Sequence, residues 1–299
     1  MASARVGDRV EGFRFRRLEK PEEFRQVDEL VRATWGEESA GGLSLPLLRV
    51  LQDNGGLVLG AFADIYLAGF SVGLLGWDGK TLFLHSYLTA VRPEYQNHHL
   101  GFRLKAFQRD EVLRLGLGEI RWVFDPLQSR NAWLMVRRLG ARPDRYYPHY
   151  FGQLPDAINQ GLETDRIRAV WPLSAPRVEE RMAGRGPDRA ADAKSLQGSF
   201  AIVETETGEH GLRVPTAVAE PSGPKAHLEI PFDLALVRQH EPGALRRWRH
   251  AVRDAFRAAL DLRYEVEDFA VVTTDHERRS FYLLAPAPPL AEPSAGGGP

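Results

Sequence analysis

Cysteine is missing from all 299 residues. Disulfides, thiolate nucleophiles, Cys-ligated zinc and iron–sulfur clusters are therefore excluded. An excess of either charge is missing too: 39 basic side chains face 40 acidic ones, for a net charge of -1. Such a balance gives no global attraction to nucleic acid or to an anionic membrane, and neither is expected as a partner. No stretch approaches the roughly 18 uncharged apolar residues of a membrane span. The opening MASARVGDRVEGFRFRR has no apolar run of signal-peptide length, so the expected location is cytoplasmic. There is no Gly-rich loop ending in Lys-Ser/Thr and no GxGxxG after the first strand, which argues against nucleotide hydrolysis and dinucleotide redox chemistry. HExxH is absent, and the adjacent His98 and His99 would not face one metal from helical positions, so no metal is expected.

What is present suffices for a core: 43% of residues are hydrophobic. Residues 13–18 alternate as a strand, and 21–35 follow with Pro21 and two glutamates in an opening helical turn. Residues 44–52 read as a second helix capped by Ser44. Strands are expected at 57–63, 66–75 and 81–91, a helix at 98–115, a strand at 119–124 and a helix at 129–138. Weaker strands are expected at 145–151 and 167–172. Residues 174–195, rich in Ala, Arg, Gly and Pro, read as a linker or mobile excursion. A smaller α/β unit over 196–285 should hold strands at 199–204 and 227–231, a helix at 242–259 and a closing hairpin, and a disordered tail covers 286–299.

The segment from Val91 through Gln96, Asn97, His98, His99, Leu100 and Gly101 takes a strand through a turn into a long helix. The first N–H groups of a helix lack intrahelical partners and attract a phosphate or pyrophosphate. By periodicity alone the segment also reads as an ordinary strand–helix joint.

Gln96-Asn97-His98-His99-Leu100-Gly101 resembles the acyl-CoA motif Gln/Arg-x-x-Gly-x-Gly/Ala of the GCN5-related N-acetyltransferase (GNAT) superfamily. His99 stands where the middle glycine is usual. A histidine amide serves there provided its φ/ψ stays helical. The element order from 13 to 152 is similar too, and residues 1–173 are the expected acyl-CoA-binding domain. The resemblance implies a mixed, mainly antiparallel central sheet flanked by helices, and acetyl-CoA or another acyl-CoA as cosubstrate. It implies that amides around His98 to Gly101 meet the CoA pyrophosphate and that Asn131 makes a polar contact to the cofactor. The family often has a tyrosine four residues before the glycine that closes this helix; here Val136 occupies that place. The stretches 122–132, 146–152 and 161–166 resemble a subgroup of longer, poorly characterised acetyltransferases with a C-terminal extension.

The reaction so implied is direct attack of a small amine, such as an amino acid, on the thioester. His85 and Glu94 are candidate bases. His85 and Tyr87 fall on one face of their strand and Ser86 and Leu88 on the other, with Tyr87 toward substrate. His85 reads otherwise as a hydrogen-bonded core or packing histidine. Tyr147, within the cluster Tyr146–Tyr150, is a candidate acid or a packing residue. Asp125 could hold the amine and Arg130 a carboxylate, or the two could pair structurally. The helix at 242–259 needs an apolar partner, inside the subunit or in a homodimer. A noncatalytic CoA-binding or regulatory module is the alternative reading.

Overall fold

The computed structural model describes residues 9–10, 12–36, 43–96, 98–154, 156, 159, 161–187, 192–274 and 276–288. The chain begins β1 (Arg9–Val10), β2 (Phe13–Arg17), α1 (Pro21–Trp35), α2 (Leu45–Asp53), β3 (Leu57–Ala63), β4 (Tyr66–Trp77) and β5 (Leu82–Val91). A 3-10 turn (Pro93–Tyr95) leads to α3 (Leu100–Arg114), β6 (Glu119–Phe124) and α4 (Ser129–Ala132), which runs on as a π-helical segment (Trp133–Arg138). Then come β7 (Arg142–Tyr147) and β8 (Arg166–Pro172). Among the described residues these strands form one sheet in the order β1-β2-β3-β4-β5-β6-β8-β7. Every pairing is antiparallel except β5 with β6.

Alternation along the strands divides two apolar layers. Leu57, Leu59 and Ala61 of β3 face a cluster holding Leu104 and Phe107 of α3. Val58 and Phe62 face Phe24, Val27 and Leu30 of α1. The start of α1 is fixed by Glu23, which accepts the amides of Glu19 and Lys20 and pairs with Arg16. Ser44 caps α2 through the amide of Leu47, as its position in the sequence suggests.

The stretch read as a linker carries α5 (Pro176–Met182) and α6 (Asp192–Ser195). Val178 and Asp192 are buried, and Asp192 pairs with Arg137 of the π segment. Beyond it lie β9 (Phe200–Ala201), β10 (Val203–Thr207), β11 (Arg213–Val218), β12 (Ala226–Ile230), α7 (Leu234–His240), α8 (Pro242–Asp261), β13 (Tyr264–Thr273) and β14 (Arg278–Pro286). They build a sheet in the order β13-β14-β12-β9 and a β10-β11 ribbon. The strand expected at 199–204 is thus split between two sheets at Ile202. Residues 289–299, most of the expected tail, lie outside the described residues.

The apolar face of α8 is covered within the chain: Leu245, Trp248, Val252 and Phe256 belong to the same buried cluster as Leu104, Val136 and Trp171. Among the described residues no helix is long and apolar enough to cross a membrane.

Candidate functional site

The β5–β6 ladder lasts for two register pairs, Leu84 with Ile120 and His85 with Arg121. Beyond them the strands diverge, and β5 from Ser86 to Val91 keeps β4 alone as its ladder partner. The divergence begins at a bulge. On β4, Gly73 and Val72 are neighbours; on β5 their partners are Ser86 and Leu88, so Tyr87 is the extra residue. A bulge bends its strand and leaves backbone groups unpaired. It also reverses the alternation, so Ser86 and Leu88 do not share a face. Ser86 accepts a hydrogen bond from Lys105 of α3, whereas Leu88 packs on the α1 cluster.

The gap opens into a cavity of about 1600 Å³ lined by His85, Tyr87, Val91 and Gly101, among others. Gln96 closes its own turn, with Nε2 donating to the carbonyl of Val91 at 3.2 Å. Asn97 lies outside the described residues. His98 is exposed, and Leu100 is buried in the core behind the turn. His99 is the N-terminal cap residue of α3 and has φ 56° and ψ 14°. The condition that its φ/ψ stay helical is not met: it occupies the left-handed region, which glycine enters freely and histidine at a cost. Position 99 has a positive φ in this chain, and a histidine fills it. At Gly101 an added Cβ would meet Leu134 at 3.7 Å and nothing closer. Packing within the chain therefore does not demand glycine there.

Beside the turn, Arg92 Nε donates to Leu67 O at 2.7 Å. Arg138 lines the cavity, its guanidinium 4.9 Å from the centre of the Phe102 ring and 5.5 Å from that of Trp133.

His85 lines the cavity. Burial, reinforced by the charge of Lys105, lowers its pKa, so its imidazole is neutral near neutral pH. Lys105 is wholly enclosed between α3 and the sheet. Its Nζ donates to Ser86 Oγ at 2.9 Å and Gln108 Oε1 at 2.7 Å, and lies 4.4 Å from the centre of the Trp122 ring. Burial pulls its pKa down to about 7. Sequence reading passed over it because a lysine in a helix is read as solvated. The available signal was the three-residue spacing of Lys105, Gln108 and Glu111, all buried, beside the apolar stripe.

The other candidates separate. Glu94 is exposed in the 3-10 turn and is not among the cavity-lining residues. Tyr147 packs against Tyr150 with ring centroids 5.1 Å apart and the rings tilted by 49°, but it is Tyr150 and Phe151 that line the cavity. Tyr146 donates its hydroxyl to Asp165 at 2.8 Å, and burial followed by that carboxylate raises its pKa strongly. Arg130 and Asn131 are exposed on the cavity wall. Asp125 also lines it, but its two oxygens each accept from Arg249 of α8 at 2.8 Å. Asp125 is thus paired with Arg249 and not with Arg130, the structural alternative, and its own carboxylate is committed. The loop from Asp125 to Ser129 is fastened to the C-terminal unit again by Tyr282, which donates to Pro126 O at 2.9 Å, and by Ser129 with Ser280 at 2.7 Å. Among the described residues no group of three or more His, Asp or Glu side chains could hold a metal ion.

No protein-family model matches the chain, and no curated protein matches it. Solved structures similar to it include the ribosomal-protein-S18-alanine N-acetyltransferase from Escherichia coli, at 17% identity and TM-score 0.44, covering 55% of this chain and 95% of that one. The ribosomal-protein-S5-alanine acetyltransferase from Vibrio fischeri is similar at 14% identity and TM-score 0.46, covering 56% and 97%. An aminoglycoside 6'-N-acetyltransferase complexed with coenzyme A is similar at 16% identity and TM-score 0.41, covering 54% and 97%.

Proposed function

We propose that this chain is an acyl-CoA-dependent N-acyltransferase that passes an acetyl or related acyl group to a small amine, an amino acid being the favoured acceptor. The observation that carries the reading is the interrupted β5–β6 ladder, with an unpaired β5 edge and the start of α3 opening on one cavity. An extended amide-bearing arm such as pantetheine pairs naturally with an unpaired strand edge. The amides at the start of α3 suit a pyrophosphate. The space beside Gly101 admits one closely, and Arg138 on Phe102 adds a cation. Asn131 stands on the same wall for a polar contact.

In the reaction the amine nitrogen attacks the thioester carbonyl carbon, the C–S bond breaks and the thiolate leaves. His85 takes the amine proton, for which a neutral imidazole is required. The β5 backbone at the Tyr87 bulge, where the ladder register skips one residue, suits the developing oxyanion. A thiolate is a tolerable leaving group near neutral pH, with a free-thiol pKa of about 8.5. Its protonation therefore does not depend on a tyrosine at Val136, which is buried. Tyr150, on the cavity wall, is better placed than Tyr147 to serve if an acid is used.

The test is release of CoA thiol when the protein is offered acyl-CoA with a broad amine panel, beside calorimetric titration with CoA. Amine-dependent thiol release supports the reading. Saturable CoA binding without turnover makes the chain a noncatalytic CoA-binding module, and absence of CoA binding removes the assignment altogether.

A further inference from the structure

Arg166 opens β8, and the register that sets Phe124 against Ile167 puts it beside the carboxyl end of β6, where Asp125 follows. It lines the same cavity as His85 and Tyr87, yet only 8% of it is exposed. Its Nη1 donates to the carbonyl of Asp165 at 2.8 Å and its Nη2 to Oδ1 of Asn159 at 2.8 Å. The guanidinium carbon sits 5.3 Å from the centre of the Phe151 ring. These contacts fix the plane of the fork.

The carboxylates around it are committed to other groups. Asp125 is taken by Arg249, and Asp165 by Arg253 at 2.7 and 2.8 Å. Asp156 accepts from the Asn159 side-chain amide at 2.9 and 2.8 Å, so Asn159 stands as a neutral spacer between Asp156 and Arg166. Among the described residues no carboxylate forms an ion pair with Arg166. A guanidinium withdrawn from water without a direct counter-charge is costly, and such groups are ordinarily paired. Two of its five N–H bonds are used as described, and the fork matches a carboxylate in shape.

We propose that Arg166 is an anchor for a carboxylate borne by one of the reactants, the acceptor amine or the acyl chain. The inference rests on the acyl-transfer reading for the identity of those reactants, but its test is binding and needs no turnover. In one arm, protein saturated with CoA is titrated with α-amino acids, each paired with the amine that lacks its carboxyl group. In the other, free protein is titrated with succinyl-CoA and butyryl-CoA. One arm should favour the carboxylate roughly 10- to 100-fold, the range expected of a charge-assisted hydrogen-bonded pair. Arg166→Gln should abolish that preference, with folding checked by circular dichroism. Arg166→Lys keeps the charge without the fork and should retain part of it, which preserves the test if the glutamine variant does not fold. The arm that discriminates identifies the source of the carboxylate.

Equal affinities within every pair, no binding in either arm, or a preference unchanged in both variants would overturn the assignment. Carboxylate preference without thiol release from any amine would leave Arg166 in place and remove the acyl-transfer reading instead.

Discussion

The guanidinium of Arg249 donates to both oxygens of Asp125, each at 2.8 Å, across 124 residues of sequence. Arg249 is fully buried, and Asp125 Oδ1 also holds the amide of Leu127 at 2.9 Å. Burial works against the arginine's charge, but the attraction of Asp125 prevails and its pKa rises. Arg249→Met would leave a buried carboxylate uncompensated, at a cost of about 3–5 kcal/mol. Adding Asp125→Asn should recover a large part, because the amide oxygen still serves Leu127 without a charge. Urea denaturation of the two variants checks this; a single variant within about 0.5 kcal/mol of the parent would mean the clamp is not structural.

Lys105 should give stability a slope on the alkaline side. Its pKa is about 7 in the fold against an unfolded value near 10.5. Between those values the unfolded chain binds a proton that the native chain lacks, so stability rises as pH rises through the window and is lowest below pH 7. Lys105→Met should flatten this rise. Denaturant melts at pH 7, 8 and 9 for both proteins measure it, and parallel slopes would contradict the assignment.

His85 should act as a base at lower pH than an ordinary histidine, because burial and Lys105 both hold its pKa down. The acidic limb of the kcat/KM profile should therefore fall below pH 6.5, the unperturbed value. Lys105→Met should move that limb upward by removing the charge. His85→Gln should reduce kcat by about 10²- to 10⁴-fold with CoA affinity unchanged. An unaltered profile and rate in His85→Gln would remove it from the mechanism.

Gly101 and His99 should both tolerate exchange within the fold. A Cβ fits at Gly101 within the fold, so Gly101→Ala should stabilise α3 by about 0.5–1 kcal/mol. It should nevertheless weaken CoA binding, and Gly101→Val more so, by filling the space the ligand needs. His99→Gly should keep or raise stability, since it relieves a residue held at φ 56°. Thermal melts and CoA titrations separate the effects. Undiminished CoA affinity in Gly101→Val would place the cofactor elsewhere.

Much of the fold could be read from periodicity. The bounds expected for α1, β3 and β6 match the structure, because each carries an uninterrupted pattern between clear stops. β11 was not foreseen: it contains Pro215, which suits a two-stranded ribbon but reads as a break. α5 was hidden by composition, although Pro176 stands at its start. Candidate positions were legible at Gln96, His99, Gly101, His85 and Tyr87, which line one cavity. Its finer geometry was not. A bulge at Tyr87 adds one residue without changing the local composition, and it reverses every face assignment that follows. The partner of Asp125 lies 124 residues away, where spacing carries no information.

The clamp between α8 and the loop after β6 also orders events during synthesis. The amino-terminal sheet is translated first, yet Asp125 meets its counter-charge only after residue 249 has left the ribosome. Until then the loop that walls the cavity carries a carboxylate in want of a partner, and the apolar surface destined for Trp248 and Phe256 stays uncovered. A nascent chain halted before α8 would hold the motif helix and the bulged strand but an unfinished cleft. Completion of the cleft is thereby tied to the arrival of α8.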